Sequence, residues 1–407
     1  MSGIRLMTVT AARAAMLATV TPLATETVAT GPDALGRSLA APVTATRDQP
    51  PFDAAAMDGY AVTASGLDDH RPVTLTVIGE SAAGRGFSRK VDDGEAVRIF
   101  TEAPTPPGTA FVVPQENAER AGDTVVIAPR DQSGPYFRSR GVDFRAGTPL
   151  LPAGTRLDPW RIGLAAAAGQ GGLVVHRRPR VAILSTGEEL VAPGGAPGAD
   201  QIFNSGTPSV AALARLWGAD AIMLTSTGDD AAAIAARLRS VEADLIVTIG
   251  GASVGDHDLV KPALETLDLR LDVASVAVRP GKPTWFGQLA DGRRVLGLPG
   301  NPASALVCAE LFLKPILQAL VGLPPGPMLE TARLATPLAA NGAREHWMRA
   351  RLSTNAEGVR AVAPMPDQDS SLVGVFAVAD ALVCRPAHAP AADPGSPVSV
   401  LPLERMV

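Results

Sequence analysis

The chain has 407 residues, 46% of them hydrophobic, which is enough for two to four domains that each bury a core. Its 36 Lys and Arg against 41 Asp and Glu give a net charge of −5, which argues against a protein whose main partner is nucleic acid. Two cysteines are too few for a disulfide framework. The most apolar segment, 305–323, is interrupted by Glu310, Lys314 and Pro315, which excludes a membrane span. We therefore expect a cytoplasmic protein with no membrane partner.

The first part of the chain changes from helical to β-type patterning. Residues 10–19 predict a helix that Thr10 caps. From about 53 to 145 short β-type runs alternate closely with Gly and Pro, which leaves no room for helices and predicts a β-rich insert domain. The clearest runs are 73–78, 96–100, 110–113 and 124–127. Residues 1–52 and 146–177 are then an N-terminal linker domain that this insert interrupts.

Residues 178–327 alternate β-type and helix-type runs, which predicts a doubly wound α/β domain with a parallel sheet. The predicted strands are 181–184, 221–224, 245–249, 275–278 and 295–298. The predicted helices are 208–217, one capped by Asp229 and Asp230, 259–267, and a last one that begins at Asn301-Pro302 and is kinked by Pro315. Residues 328–407 return to short β-type runs and predict a small β-barrel, with a sandwich as the alternative. The fold class is multidomain α/β plus β.

Three strands of the α/β domain end in loops that are typical of anion sites: 185–190, 250–258 and 299–304. The carboxyl ends of parallel strands meet at one edge of a sheet, and glycines let backbone N–H groups point at phosphate or oxyanion oxygens. A tight turn with a helix cap is the simpler explanation for each loop alone. Together they predict a site for a phosphorylated ligand, and the candidate binding residues are Gly250, Gly251, Ser253, Gly255, Pro299, Gly300 and Pro302.

Charged residues beside these loops suit such a ligand. Arg279 and Lys282 lie in a turn stiffened by two prolines and can neutralise phosphate or oxyanion charge, although a solvated turn is the alternative. Hard cations prefer carboxylate oxygens, so Glu189, Asp256 and Asp258 are candidate Mg²⁺ ligands. Helix capping is the competing role for these acids.

Five segments resemble the molybdopterin molybdenumtransferase family, which includes MoeA and the E domain of gephyrin. In chain order they are PPFDAAAMDGYAV (50–62), STGEEL (185–190), GGASVGDHD (250–258), RPGKP (279–283) and LPGNPA (298–303). The resemblance implies a homodimer of elongated, L-shaped subunits with four domains, in which the α/β domain is MogA-like. It also implies an active site shared between the α/β domain of one subunit and the insert domain of the other.

The resemblance further implies the reaction. Molybdenum from molybdate is inserted into adenylyl-molybdopterin, the pyrophosphate link is cleaved with Mg²⁺ as cofactor, and AMP and molybdenum cofactor are released. A molybdopterin adenylyltransferase is the implied protein partner. Three alternatives stay open: a paralogue that handles tungstate, an enzyme that cleaves nucleotide pyrophosphates with the α/β domain alone, and a non-catalytic molybdopterin-binding scaffold.

Position in the family motifs implies roles for individual residues. The expected catalytic residues are Asp58 and Thr101 from the insert domain together with Glu189, Asp258 and Lys282. The further substrate-binding candidates are Arg279, Arg138, Asp143, Asp229 and Ser370. Three alternatives stay open for these residues. Arg138 pairs with Asp143, Asp229 caps a helix, or Ser371 takes the place of Ser370.

Five positions depart from the family pattern, mostly in the insert domain and the C-terminal lid. Ala55 stands where a polar residue is usual, Glu102 replaces the glycine after the threonine, Tyr136 and Asp380 replace asparagine, and Val142 replaces an acid. The α/β loops are intact. We therefore expect anion binding to be preserved and any change in activity to come from the insert domain.

Overall fold

The computed structural model describes residues 6–129, 134–224, 230–251, 259–326, 328–354, 356 and 358–405. Up to residue 177 the chain forms small sheets and two helices. In chain order they are α1 (Val9–Leu17), β1 (Thr25–Ala29), β2 (Val43–Thr44), β3 (Ala54–Ala55), β4 (Gly59–Val62), β5 (Val73–Ser81), β6 (Glu95–Ile99), β7 (Phe111–Pro114), β8 (Ala118–Ala121), β9 (Thr124–Ile127), β10 (Phe137–Arg138), β11 (Pro149–Leu151), α2 (Pro159–Ala167) and β12 (Gly172–His176).

The N-cap of helix α1 lies two residues before the predicted one. Thr8, not Thr10, is the N-cap, because its side chain accepts a hydrogen bond from Ala11 N at 3.2 Å and so satisfies one of the free N–H groups of the first turn. The buried face of α1, including Met16, packs into the core of the α/β domain. Helix α1 therefore contributes to that core.

The linker forms from chain on both sides of the insert. Strand β1 pairs antiparallel with β12, and β2 pairs with β11. The pairing of segments more than 100 residues apart closes a core around Leu39, Phe144, Leu157 and Leu173. Inside this closure, the insert forms a six-stranded sheet of order β7-β4-β6-β5-β9-β8. The four predicted runs are confirmed as β5, β6, β7 and β9, with ends that differ by at most three residues.

The α/β region follows. Its elements are β13 (Arg180–Ser185), β14 (Leu190–Val191), β15 (Ile202–Phe203), α3 (Gly206–Leu216), β16 (Asp220–Leu224), α4 (Ala231–Ser240), β17 (Leu245–Ile249), α5 (Val260–Glu265), β18 (Arg270–Val273), β19 (Val278–Arg279), β20 (Trp285–Gln288), β21 (Arg294–Leu298), α6 (Pro302–Cys308), a π-helical segment (Ala309–Leu313) and α7 (Lys314–Leu320).

These elements form the predicted doubly wound domain. The sheet order is β16-β13-β17-β21-β20-β18, and its first four strands are parallel. Alternate residues of β13 separate the two faces: Ile183 packs with α1, α3 and α6, whereas Leu184 packs with α4 and α5. Both faces are covered, which explains why β13, β17 and β21 are apolar almost throughout.

One predicted strand in this region is wrong. Residues 275–278 do not form a strand of this sheet, because the antiparallel pair β18 and β20, which we did not predict, completes the edge beside β21. Instead, the short β19 pairs with the C-terminal region.

The last helix changes to π-helical geometry at Ala309–Leu313, shortly before Pro315, whose ring lacks the N–H that a regular helix requires.

The segment Pro302–Leu320 is long and apolar enough to cross a membrane by length and composition alone. Most of its residues are buried in the α/β core, which accounts for its apolar character.

The C-terminal region is a closed barrel. Its elements are β22 (Glu330–Leu334), β23 (Glu345–Thr354), β24 (Arg360–Pro364), the short helix α8 (Gly374–Val378), β25 (Ala381–Arg385) and β26 (Pro397–Pro402). The sheet runs β23-β24-β22-β26-β25, and β25 pairs back onto β23, which closes it. This closure confirms the barrel and excludes the sandwich.

Candidate active site

A cleft of about 1460 Å³ opens at the carboxyl edge of the parallel sheet, between the α/β domain and the barrel. The loops after β13, β17 and β21 form one side. The turn after β19, together with barrel residues Arg344 and 368–371, forms the other. The predicted convergence of three strand ends is therefore observed, and the barrel forms the facing side of the cleft, where only Ser370 was predicted.

The three loops touch through their backbones. Gly250 has φ +86° and Gly251 φ +59°, which is the left-handed region that favours glycine. A Cβ at Gly250 would lie 3.0 Å from the Thr186 carbonyl oxygen, and one at Gly300 would lie 3.4 Å from the Gly250 Cα. A side chain at Gly250 would crowd the Thr186 carbonyl, so glycine keeps the backbone close-packed at the floor of the cleft.

The turn after β19 carries two cations into the cleft. Arg279 and Lys282 are both exposed there, and neither forms an ion pair with a described residue. The turn between them is buried: Thr284 Oγ1 donates to the Gly281 carbonyl at 2.7 Å and lies 3.1 Å from Cys308 Sγ. Burial raises the pKa of the Cys308 thiol to about 12, so it stays protonated and serves as packing beneath the turn.

The barrel adds a third cation and a loop. Arg344 Nη1 donates to the Val278 carbonyl at 3.3 Å, which fixes it beside the strand that leads to Arg279. Ser370 lies at the helix that follows β21: Asn301 Nδ2 donates to its Oγ at 2.8 Å, and Ala303 N donates to its carbonyl at 3.1 Å. The barrel loop is thus joined to the α/β domain across the cleft.

A buried histidine lies behind this cationic wall. His346 is 7% exposed, pairs with Arg279 in the β19–β23 ladder, and leaves its Nε2 without a partner among the described residues. Burial, and then the charges of Arg279, Arg349 and Arg344, lowers the pKa of His346 to about 4. The histidine is therefore neutral near pH 7, where it adds no further positive charge to the cluster.

Most of the predicted binding residues in the described part of the chain line this cleft. They are Glu189, Gly250, Gly251, Arg279, Lys282, Pro299, Gly300, Pro302 and Ser370. Predicted residues Asp229, Ser253, Gly255, Asp256 and Asp258 lie outside the described residues. Sequence reasoning missed Arg344, Asn204, Asn301 and Gln368, which also line the cleft. Only Asn301 carried a local signal, because it lies within one of the three loops.

Comparisons with known proteins agree along the whole chain. Three family models match: MoeA N-terminal region (domain I and II) at residues 7–169, probable molybdopterin binding domain at 182–319, and MoeA C-terminal region (domain IV) at 331–403. Molybdopterin molybdenumtransferase 2 of Mycobacterium tuberculosis is 38% identical over 81% of this chain and 84% of its own length. The chain belongs to the molybdopterin molybdenumtransferase family.

Further relatives point the same way. The molybdopterin molybdenumtransferase of a Nostoc species is 37% identical over 77% of this chain and 74% of its own length. A crystal structure of a molybdopterin biosynthesis MoeA protein from Pyrococcus horikosii superimposes with a TM-score of 0.83 at 29% identity, covering 99% of this chain and all of that one. The chain is thus a transferase with the fold of its family.

The insert domain holds a second cluster, apart from the cleft. Asp58 Oδ1 accepts hydrogen bonds from Thr101 N and Thr101 Oγ1, both at 2.7 Å, and these bonds lower the pKa of Asp58. Arg138 Nη1 pairs with Glu102 Oε1 at 2.5 Å, so the suggested pairing of Arg138 with Asp143 is wrong. No described residue of 53–145 lines the cleft of the same chain.

Two departures from the family pattern in this domain have a backbone consequence. Glu102 has φ +66° and Tyr136 has φ +46°, so both occupy the left-handed region in which glycine and asparagine are the favoured residues. These are the residue types that the family pattern has at those positions. The transferase therefore accepts backbone strain at Glu102 and gains there the carboxylate that neutralises Arg138.

The acids of the cleft suit a hard cation. Glu189 and Asp200 line the cleft, and the structure gives neither side chain a hydrogen bond or an ion pair with a described residue. The Glu189 carboxylate covers Gly187, where a Cβ would be only 2.7 Å from Glu189 Cδ. Among the described residues no three His, Cys, Asp or Glu side chains form a ready-made metal site. Carboxylate oxygens of this kind fit Mg²⁺, which keeps water and phosphate oxygens as its other ligands.

Proposed function

We propose that this transferase inserts molybdenum from molybdate into adenylyl-molybdopterin, cleaves the pyrophosphate link with Mg²⁺, and releases AMP and molybdenum cofactor. The observation that carries the proposal is the cationic wall of Arg279, Lys282 and Arg344, which form no ion pair with any described residue and face the glycine loops across one cleft. A pyrophosphate and an oxyanion bring several negative charges together, and such charges require cations and fixed N–H donors.

Each side of the cleft has a separate task in this reaction. Arg279 and Arg344 bind and orient the anionic groups, and Lys282 neutralises charge that develops as the pyrophosphate link breaks. The backbone N–H group at Gly300 binds phosphate oxygens from the opposite side. Glu189 and Asp200, with Asp256 and Asp258 from outside the described residues, would hold the Mg²⁺, which polarises phosphate oxygens when bound.

We further propose that the working unit is a homodimer in the cytoplasm and that a molybdopterin adenylyltransferase supplies the substrate. Asp58 and Thr101 form an ordered acid–hydroxyl pair outside the cleft of their own chain. A second subunit that places this pair, Arg138 and Asp143 over the cleft would complete the site with the expected insert residues. Asp229, which precedes helix α4 in the sequence, remains a proposed ligand contact.

The reaction is tested with purified protein, adenylyl-molybdopterin and Mg²⁺, by measuring AMP release on addition of molybdate. We expect Lys282→Ala and Asp258→Ala each to abolish release, whereas Lys90→Ala, an exposed lysine of the insert domain that pairs with Asp92, leaves it unchanged. AMP release by both site variants at the wild-type rate would contradict the proposal. A parallel titration with tungstate distinguishes the tungstate alternative.

The shared site is tested by mixing inactive variants. Asp58→Asn and Lys282→Ala subunits, unfolded and refolded together at equal amounts, should give mixed dimers with one intact site each, and about a quarter of wild-type activity. If each site lay within one chain, every site in the mixture would carry a substitution and activity would stay at background. The fraction of mixed dimers is measured by mass spectrometry of the intact assembly.

A further inference from the structure

Arg349 is the largest charged side chain that the described part of the chain buries completely. It lies on β23, is 0% exposed, and comes three positions after the buried His346. Its Nε and Nη1 have no hydrogen-bond partner among the described residues. Burying a guanidinium with unsatisfied donors is costly, and a neutral side chain of the same length would avoid that cost.

Both the side chain and the backbone of Arg349 form hydrogen bonds with one loop, 365–371. Its Nη2 donates to the Asp369 carbonyl at 2.8 Å. The side chain of Gln368 binds both backbone groups of Arg349: Oε1 accepts from Arg349 N and Nε2 donates to Arg349 O, each at 2.9 Å. Met365 N also donates to Arg349 O, at 2.8 Å. A single residue of the barrel wall therefore fixes the loop through its backbone and side chain together.

The same loop reaches the cleft. Gln368, Asp369, Ser370 and Ser371 all line it. Asp369 Oδ1 is occupied within the loop, because it accepts from Ser371 N at 2.8 Å and Ser371 Oγ at 2.7 Å. Ser370 is the member that meets the α/β domain, through the hydrogen bond from Asn301. A shift of the Asp369 carbonyl would move Ser370, the next residue along the chain.

We propose that Arg349 is a positioning residue, which holds the Asp369 peptide so that Ser370 stands in the oxyanion-binding arrangement of the cleft. The inference rests on the proposed function for the identity of the anion. It adds a residue that does not line the cleft and that acts through the loop. The attraction between the guanidinium and the carboxylates of Asp367 and Asp369 supports the same contact.

A double-mutant cycle distinguishes positioning from general stability. AMP release is measured for wild type, Arg349→Met, Ser370→Ala and the double variant. Loss of a hydrogen bond that involves a charged group, the guanidinium in Arg349→Met and the bound anion in Ser370→Ala, predicts that kcat/KM falls about 10- to 100-fold in each single variant. If Arg349 acts by placing Ser370, the double variant is no worse than the more affected single variant. A merely structural role would multiply the two losses.

The matched control is Arg385→Met. Arg385 is another buried arginine, 7% exposed, on the neighbouring strand β25, and it donates to the carbonyls of Ala339 and Pro390, neither of which lines the cleft. We expect this variant to lower the melting temperature as Arg349→Met does while it leaves KM unchanged. If Arg349→Met does not fold, the same cycle is run with Arg349→Lys, which keeps the charge but loses the planar fork.

The outcomes separate the two proposals. The positioning role is overturned if the wild type is active and the two losses in kcat/KM multiply in the double variant, or if Ser370→Ala alone does not change kcat/KM. Either result leaves the proposed function standing. A wild type that releases no AMP overturns the proposed function. In that case the cycle is repeated with the dissociation constant for tungstate, measured by calorimetry, and the same non-additivity is expected for the loop.

Discussion

Replacing Gly281 by alanine tests whether close packing holds the cationic turn. Gly281 lies between Arg279 and Lys282 with φ +119°, and a Cβ there would overlap Cys308 Sγ and approach Val278 Cγ1 to 3.2 Å. Strain at such a φ costs on the order of 1 to 3 kcal/mol, and overpacking a buried site costs about 1 to 3 kcal/mol more. We therefore expect the Gly281→Ala variant to be destabilised by about 3 kcal/mol.

The two contributions are separated with matched variants. Gly292 also has a left-handed φ, +85°, but a Cβ there meets nothing within 4 Å, so Gly292→Ala measures backbone strain without a clash. Adding Cys308→Ala to Gly281→Ala removes the sulfur that the new methyl group would meet. We expect the double variant to recover about 1 to 2 kcal/mol, which is the overpacking part.

Stability is measured by urea unfolding, monitored by the fluorescence of the buried tryptophans. One of them, Trp285, directly follows Thr284. Tungstate affinity, measured by calorimetry, reports on Arg279 and Lys282 separately from unfolding, and we expect it to fall at least tenfold in Gly281→Ala. The reasoning is refuted if Gly281→Ala and Gly292→Ala are equally stable and Cys308→Ala gives no recovery.

Two further predictions concern strain and pH. Glu102→Gly should be about 1 kcal/mol more stable than Glu102→Ala in thermal unfolding, because both lose the ion pair with Arg138 and only glycine relieves the positive φ; equal stabilities would show that the backbone there is unstrained. For His346, the pKa falls from 6.5 to about 4 on folding, so the unfolded chain binds the proton more readily between these values. The contribution of His346 to the free energy of unfolding is then fully present above pH 6.5 and is lost, on the order of 3 kcal/mol, as the pH falls to 4. In urea titrations across that range, we expect the His346→Gln variant to lack this loss.

The sequence predicts the parts of this fold that depend on local patterns. Residues 245–249 are apolar except for Thr248 and are followed by two glycines, and they form β17 with the predicted bounds. Strand β20 escaped prediction because Trp285–Gln288 is short, contains glycine and directly follows a proline turn. Its place in the sheet is decided by pairing with β21, and the glycine is required there: a Cβ at Gly287 would come within 3.0 Å of Leu269 Cδ1.

The candidate site divides in the same way. Glycine loops and the Arg279–Lys282 turn carry their chemistry in consecutive residues, so motif reasoning finds them. Arg349 lies in β23 and Arg344 directly precedes that strand, and neither belongs to a motif. Arg344 reaches the cleft through the pairing of β19 with β23, across more than 60 residues of chain, and Arg349 is related to it only through the loop 365–371. Glu102 and Tyr136 depart from the family pattern in the sequence, but only the φ angles show that these departures place a side chain in the left-handed region.

The pairing of β19 with β23 also bears on which unit can act alone. Strand β19 leaves the α/β sheet, and its Arg279 is held in register with His346 of the barrel. Arg344 donates to the carbonyl of Val278 in the same strand, and Ser370 is hydrogen-bonded to Asn301. The cations and the loop that close the cleft therefore depend on contacts between the α/β domain and the barrel. An α/β domain that cleaves nucleotide pyrophosphates by itself would have to do so without this wall, and the geometry consequently favours a reaction that needs both domains.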